Sequence, residues 1–482
     1  IPLRLVGSEM CIRDSYTHLF INDGSPIVGD VYYGSAWHSL LVNSLRSGGQ
    51  GLYGLDVTNP SNFSEANAAS IVNWEFTDAD DADLGYVYGR PTIARLRDGN
   101  FYVIFSSGYN NTEADGRAST TGKGAIYLLK ASGPTGSNGA WTLNTDYYKI
   151  VLNAGTVTSP DGVGIPYVVD TNNDDKADYI YVGDQLGNLW RTSLTSSTPS
   201  DWVLATNTVA IASAVDPLDA TIPQPITMQP IVGFNLLTPT NQTDLVVYFG
   251  TGSYIDATDG SYASTNRTQT FYAVVDSLAA SPTAVTRAGL VQQKIVKEVG
   301  SGGAACVSTT STAATGCYRQ TTTNAVQSTD KGWYIDLYNT NNGAVTAALA
   351  QSTGSNQGER AVTHPSLQEG FIYFNTLIPG SGSSNCGSSG TGWLMVLDAK
   401  TGKMLSTPVL DTNNDGSVDS NDLTVSGAKY GSILSSLSFI QSSNTIKKIK
   451  CGLGSGEQCD LNTRAGGREG RVSWREIVPA NN

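Results

Sequence analysis

The sequence predicts an all-β protein built as a modified, decorated β-propeller. Three observations lead there. Gly (52 residues) and Tyr (23) are abundant while only 15% of the 482 residues are charged, a composition of turns and pleated surfaces. A paired pattern recurs, in which an apolar run ends in a Gly or polar turn and a second run carrying Tyr or Trp follows. No long stretch shows the 3.6-residue period of an amphipathic helix.

Taken in order, residues 51–60 (GLYGLDVTNP) read as a single strand, and 61–76 (SNFSEANAASIVNWEF) as either a short helix or a polar connection. The pairs follow: FYVIFSSG (101–108) with GAIYLLKA (124–131), and DYIYVGD (178–184) with GNLWRTSL (187–194). Two more are DLVVYFGTG (244–252) with TFYAVVDS (270–277), and GFIYFNT (370–376) with GWLMVLDAKTGK (392–403). RVSWREIV (471–478) reads as a last single strand. Hairpins repeated at uneven spacing are what propeller blades with inserted loops produce. A pair of β-sandwiches is the competing architecture.

Charge removes some function classes. A formal charge of −13 leaves no basic face for phosphate, which argues against nucleic acid as a partner. No apolar run reaches the ~18 residues that a spanning helix needs, so no transmembrane segment is expected. The leader IPLRLVGSEMCIRDS (1–15) has none of the regions of a secretory signal. It resembles the translation of a sequencing adapter, which would make residues 1–15 non-native and start the propeller at 16, running to 482. An ordinary leader without regular structure is the other reading.

With Cys11 set aside, Cys306, Cys317, Cys386, Cys451 and Cys459 remain, and the chain has three His. No CxxC pair occurs, so zinc has few ligands to recruit. CVSTTSTAATGC (306–317) and CGLGSGEQCD (451–460) each bracket a short polar loop. Local disulfides Cys306–Cys317 and Cys451–Cys459 would each stabilise by roughly 2 to 3 kcal/mol in the chain-entropy model, and an oxidising compartment is favoured. Cys386 has no evident partner.

Two acidic loops carry the chemistry. DTNNDGSVDSND (411–422) packs four Asp and three Asn into twelve positions. Carboxylates about 5 Å apart repel by roughly 3 kcal/mol per pair at an effective dielectric near 20, so a cation is expected inside. A calcium loop takes oxygens from positions 1, 3, 5, 7, 9 and 12, with Gly at 6. Asp411, Asn413, Asp415, Ser417 (main-chain carbonyl), Asp419 and Asp422 fill all six, and Gly416 takes the turn. The loop beginning DTNNDDKAD (170–178) offers Asp170, Asn172, Asp174, Lys176 (main-chain carbonyl) and Asp178 at 1, 3, 5, 7 and 9. There Asp175 replaces Gly and Tyr181 stands at position 12; spacing alone leaves both calcium and a solvated turn open.

The stretch GIPYVVDTNNDDKADYIYVGDQLGNLWRTSL resembles the calcium-loop blade of the PilC/PilY family of type IV pilus biogenesis factors and tip adhesins. The resemblance extends from about residue 16 through FINDGSPIVGDVYY, WHSLLVNSLRSGGQGLYGLDVTNP, WEFTDADDADLGYVYGRPTIARLRDGNFYVIFSSGYNN, PITMQPIVG, VYFGTGSYI, GERAVTHPSLQEGFIYFNTLIPG and GRVSWREIV. It implies a modified propeller, seven-bladed in the complete protein and lacking its first part here. It also implies calcium (Ca2+) held by Asp170, Asn172, Asp174, Lys176 and Asp178, and a second loop of Asp411, Asn413, Asp415, Ser417 and Asp419. By the same resemblance the expected role is pilus extension, retraction and surface attachment, with minor pilins at the pilus tip and a host or abiotic surface receptor as partners. The expected location is extracellular, at the pilus tip or outer membrane, after export through the periplasm. The family's variable amino-terminal adhesive region, its signal peptide and its NDGMLH-like motif are not found, and the chain has LRDGN but no RGD; integrin binding is not inherited.

The rival readings are a quinoprotein-like propeller dehydrogenase and a secreted carbohydrate-binding propeller. No GxSxG, HExxH, GxGxxG or P-loop pattern occurs, and no enzyme activity is expected. Trp190, Trp393 and Trp474 read as blade core rather than cofactor stackers. His38 and His364 read as structural, and the acidic run 78–83 (DADDAD) as a solvated loop.

Overall fold

The computed structural model describes residues 20–235, 244–255, 259, 268–300, 317–339, 358–380, 390–441, 446–452 and 458–464. Cys11, Cys306, Cys386, Trp474 and the strand expected at 471–478 lie outside the described residues. The chain divides into two compact units, Ile1–Ala210 and Ile211–Asn482.

The first unit is built of four-stranded antiparallel meanders. One contains β1 (Ile27–Tyr33), β2 (Ala36–Ser44), β3 (Gly51–Asp56) and β4 (Val72–Thr77) in that order. The next contains β5 (Thr92–Arg95), β6 (Phe101–Ser106), β7 (Ala125–Lys130) and β8 (Tyr147–Val151). A third contains β9 (Tyr167–Val169), β10 (Tyr179–Gly183), β11 (Asn188–Ser193) and β12 (Thr208–Ser213), whose last strand runs across the division between the units.

The period of two explains how these sheets stack. Along β6 and β7, Val103, Phe105, Tyr127 and Leu129 point to one face, into a core shared with Leu40, Leu52, Trp74 and Phe76 of the first sheet. Their neighbours Tyr102, Ile104, Ile126 and Leu128 point to the other, into a core shared with Ile180, Val182 and Trp190 of the third. A sheet covered on both faces must be apolar at successive positions, which is why FYVIFS and AIYLLK read as continuous runs. Blade-on-blade packing of this kind is what the expected propeller requires.

The second unit departs from the simple meander. Its main sheet has ten strands in the order β13-β14-β15-β18-β16-β17-β22-β21-β20-β19. These are β13 (Ile231–Phe234), β14 (Leu245–Gly250), β15 (Thr270–Asp276), β16 (Val291–Gly300), β17 (Cys317–Thr321), β18 (Gly332–Asn339), β19 (Ser366–Gln368), β20 (Phe371–Pro379), β21 (Gly390–Asp398) and β22 (Gly427–Tyr430). Two four-stranded groups are thus welded by β16 and β17, and β16 pairs with β18 in parallel. No hairpin pattern announces that pairing, because a parallel neighbour is set by a crossover rather than by a turn. Phe271 of β15 stacks on Phe374 of β20 with ring centres 3.8 Å apart, so the two groups share a core. A smaller sheet holds β23 (Ser438–Gln441), β24 (Ile446–Gly452) and β25 (Gln458–Arg464).

This frame places several of the features expected from the sequence. The 61–76 segment carries a 3-10 turn at Glu65–Asn67 and one α-helical turn at Ala68–Ile71 before β4. Trp190 and Trp393 are buried core residues. His38 bonds Asp56 at 2.8 Å, and His364 is pinned to the Gln229 carbonyl at 3.0 Å with its pKa lowered by burial. Cys317 is disulfide-bonded, and residues 451 and 459 are direct register partners on β24 and β25. No helix among the described residues is long and apolar enough to cross a membrane.

One reading is corrected. The 78–83 run is not a solvated loop: Lys149 of β8 bridges Asp81 and Asp83 at 2.7 and 2.5 Å, and the Tyr127 and Tyr147 hydroxyls donate to Asp81. Sequence spacing gave no sign of this, since the neutralising ammonium lies 66 to 68 residues away.

Candidate metal centres

The first acidic loop is the connection between β9 and β10. Val169 and Tyr179 are cross-strand partners, and the Asp178 N–H closes the turn on the Val169 carbonyl at 2.7 Å. That closure carries the last acid of the loop back over the first. Asn173 and Asp175 adopt left-handed backbone, φ 59° and 64°, a conformation that short polar side chains tolerate almost as glycine does. Asp175 at position 6 therefore does not prevent the turn.

Within it, Asp170 accepts the N–H groups of Asn172, Asp174 and Asp175 at 3.2, 3.3 and 2.9 Å. Asn172 accepts the Asp174 N–H, and Asp174 accepts that of Lys176. Asp178, only 2% exposed, accepts the Thr171 N–H and hydroxyl at 2.9 and 2.6 Å. Its other oxygen accepts from the Arg97 guanidinium, which also reaches Asp174 at 3.2 Å. Burial alone would push the Asp178 carboxyl up; the bonds from Thr171 and Arg97 outweigh it and hold it below the usual carboxylate range. In return Asp178, then Asp174 and Asp170, hold the Arg97 proton more firmly. Tyr181, at position 12, is a core residue of β10.

The second loop repeats the turn and most of its bonding, although Asp411 accepts one loop N–H where Asp170 accepts three. Asn414 and Gly416 take the same two left-handed positions, φ 59° and 90°. Asp411 accepts the Gly416 N–H at 3.0 Å, Asn413 accepts that of Asp415 at 2.9 Å, and Asp415 accepts that of Ser417 at 2.8 Å. Thr412 donates its N–H and hydroxyl to Asp422 at 2.6 and 3.1 Å. Asp422 therefore occupies the role of Asp178, whereas Asp419 is exposed and accepts the Asn421 N–H in a turn of its own. Asn462 of β25 donates to Asp411 at 3.0 Å and anchors the loop, and Tyr318 donates to the Thr412 carbonyl at 2.8 Å. Burial, then the charges of Asp411 and Asp422, push the Tyr318 hydroxyl up.

The donor set fits a hard cation: carboxylate, amide and main-chain oxygens, with no sulfur or imidazole in either loop. The second loop fits on a further ground. Asp411 is 3% exposed and its Oδ1 is buried without a hydrogen-bond partner, which leaves a buried carboxylate oxygen open to a cation. Among the described residues no three His, Cys, Asp or Glu side chains converge as a metal-holding group; the carboxylates are turned onto backbone N–H groups. Thr171, Thr412, Asn462 and Arg97 went unnoticed in the sequence reading. The threonines had a signal, the shared DTNND opening; Arg97 and Asn462 had none, lying tens of residues away.

Residues 13–307 match the family described as PilY1 beta-propeller domain. A type IV pilus biogenesis factor PilY1 homolog of Xylella fastidiosa (strain Temecula1) is 31% identical over 394 residues, covering 80% of this chain and 23% of that protein. Type IV pilus biogenesis factor PilY1 of Pseudomonas aeruginosa (strain PAO1) is 29% identical over 418 residues, covering 84% and 32%. The crystal structure of the Pseudomonas aeruginosa PilY1 C-terminal domain superimposes with a TM-score of 0.67 at 27% identity, covering 96% of this chain and 87% of that one. The chain spans about a quarter to a third of the length of these curated relatives. The expected family and the all-β propeller class are both borne out: the chain belongs to the PilY1 beta-propeller domain family.

Proposed function

We propose that this chain is the propeller portion of a calcium-binding type IV pilus biogenesis factor that acts, without catalysis, at the pilus tip or outer membrane in pilus extension, retraction and surface attachment. The names of the relatives support the pilus role. The single observation that carries the calcium part is the buried, unpartnered Oδ1 of Asp411 within a turn whose backbone repeats that of residues 170–178. A bound calcium supplies two positive charges and takes six to eight oxygens. The chain's own residues do the rest: Asp170 gathers three N–H groups and Asp411 the Gly416 N–H to curl each turn, and Asp178 and Asp422 lock its two ends together.

On this reading the ordered loops present a blade surface to minor pilins and to a host or abiotic receptor, and loss of calcium loosens that surface. An ion that binds only the ordered form stabilises it by about 2.7 kcal/mol at a hundredfold excess over its dissociation constant. The test is complementation of a strain lacking its own factor with the full-length protein carrying wild-type loops, Asp411→Ala or Asp178→Ala. Surface piliation and twitching should fall in both variants, in step with calcium affinity measured on the purified chains. Full piliation with both variants would sink the reading.

A further inference from the structure

The two loops differ in one respect that their shared backbone does not predict. Around the second, no Lys, Arg or His among the described residues pairs with Asp411, Asp415, Asp419 or Asp422. The first already holds a cation. Arg97 sits in the turn between β5 and β6, its guanidinium reaching Asp174 at 3.2 Å and bonding Asp178, while its Nε is buried without a partner. The carboxylates it occupies stand at positions 5 and 9 of the loop. Those oxygens serve a guanidinium or an ion, since placing both cations on the same pair of carboxylates adds a repulsion that neither pays alone in a partly buried setting. Arg is also the residue best shaped to hold two carboxylates at once.

We propose that Arg97 is a built-in competitor for calcium at residues 170–178: it closes this loop in the ion-free protein and weakens its calcium affinity, so that residues 411–422 load first. The inference rests on the calcium reading above. It gives the protein a graded response to calcium from two turns of one geometry, with the difference set by a single side chain from a neighbouring hairpin.

The experiment uses the purified chain, stripped of metal, with Asp411→Ala in every protein so that only the first loop titrates. Calcium chloride is added to Arg97 wild type, R97Q and R97K in a calorimeter, and thermal unfolding is followed in chelator alone. R97Q should bind calcium about tenfold more tightly, because the competent form no longer has to displace the guanidinium. R97K keeps a charge but not the fork and should tighten by about threefold, which reads the same competition if R97Q fails to fold. In chelator, R97Q should melt below wild type. Unchanged or weaker calcium binding in the variants overturns the competitor role and leaves the calcium reading standing; no binding by any of the three, nor by the chain with Asp411 intact, overturns both.

Discussion

Asp422 and Asp178 are spatial counterparts, although the first stands twelfth in its loop and the second ninth: each takes the N–H and the hydroxyl of the threonine next to the leading Asp. The closing acid is thus chosen by where the chain returns to its own start. Spacing counted from the leading Asp does not identify it.

It follows that Asp422→Ala is the damaging substitution in the second loop and Asp419→Ala the mild one. Asp422→Ala removes the charged acceptor of three N–H groups and a hydroxyl and should cost about 2 to 4 kcal/mol. Asp419→Ala, on an exposed turn, should cost less than about 1 kcal/mol. Urea unfolding of the two variants in chelator checks the order, and calcium titration should rank them the same way.

Calcium should raise the melting temperature of the wild-type chain and chelator should reverse the change. Magnesium should do so less, because it demands rigid six-fold geometry that a nine- to twelve-residue flexible turn does not impose. Asp411→Ala should abolish the share of the shift that saturates at lower calcium. Differential scanning fluorimetry over a calcium series measures both.

A buried acid pair predicts a pH dependence separate from the loops. Asp161 is 1% exposed, and neither of its oxygens has a hydrogen-bond partner. A Cβ at Gly124 would lie 2.9 Å from its Oδ2 and one at Gly155 2.7 Å from its Cβ, so the carboxyl is walled in. Asp184, close enough to repel it, accepts from the Asn188 N–H and amide and from the Trp190 indole at 2.7 to 2.9 Å. Burial, and then Asp184, push Asp161 up to about 8. The folded chain therefore holds a proton that the unfolded chain has released, and stability falls as pH rises from about 4 through about 8. The slope should approach 1.4 kcal/mol per pH unit at most, about one proton's worth. Asp161→Asn should flatten it between pH 5 and 8, and an unaltered slope in urea titrations would count against the assignment.

In the second unit, Arg319 of β17 is the most exacting buried charge. It makes two bonds to Glu359 at 2.6 and 2.7 Å and one to Glu298 at 2.9 Å, with its guanidinium carbon 3.9 Å from the centre of the Trp393 ring. Glu359→Ala should cost about 3 to 5 kcal/mol by stranding the guanidinium, whereas a paired Arg319→Met, Glu359→Leu replacement should cost much less. Equal losses in the single and double variants, measured by denaturant unfolding, would contradict this.

The sequence by itself determined the strand content, the hairpins, the family and the two acidic turns, because each depends on residues near one another along the chain. A period of two, a Gly or Asn at a left-handed position and an Asp-x-Asn-x-Asp run are local patterns. Only the tertiary structure decided the rest. It placed β16 parallel to β18, put Lys149 over the acidic run at 78–83, set Arg97 against Asp174 and Asp178, and left Asp411 Oδ1 and Asp161 without partners. Those outcomes turn on which distant side chain arrives beside a buried charge. Electrostatics acts through space, and the register that brings such groups together is fixed by packing of whole sheets rather than by any short stretch of sequence.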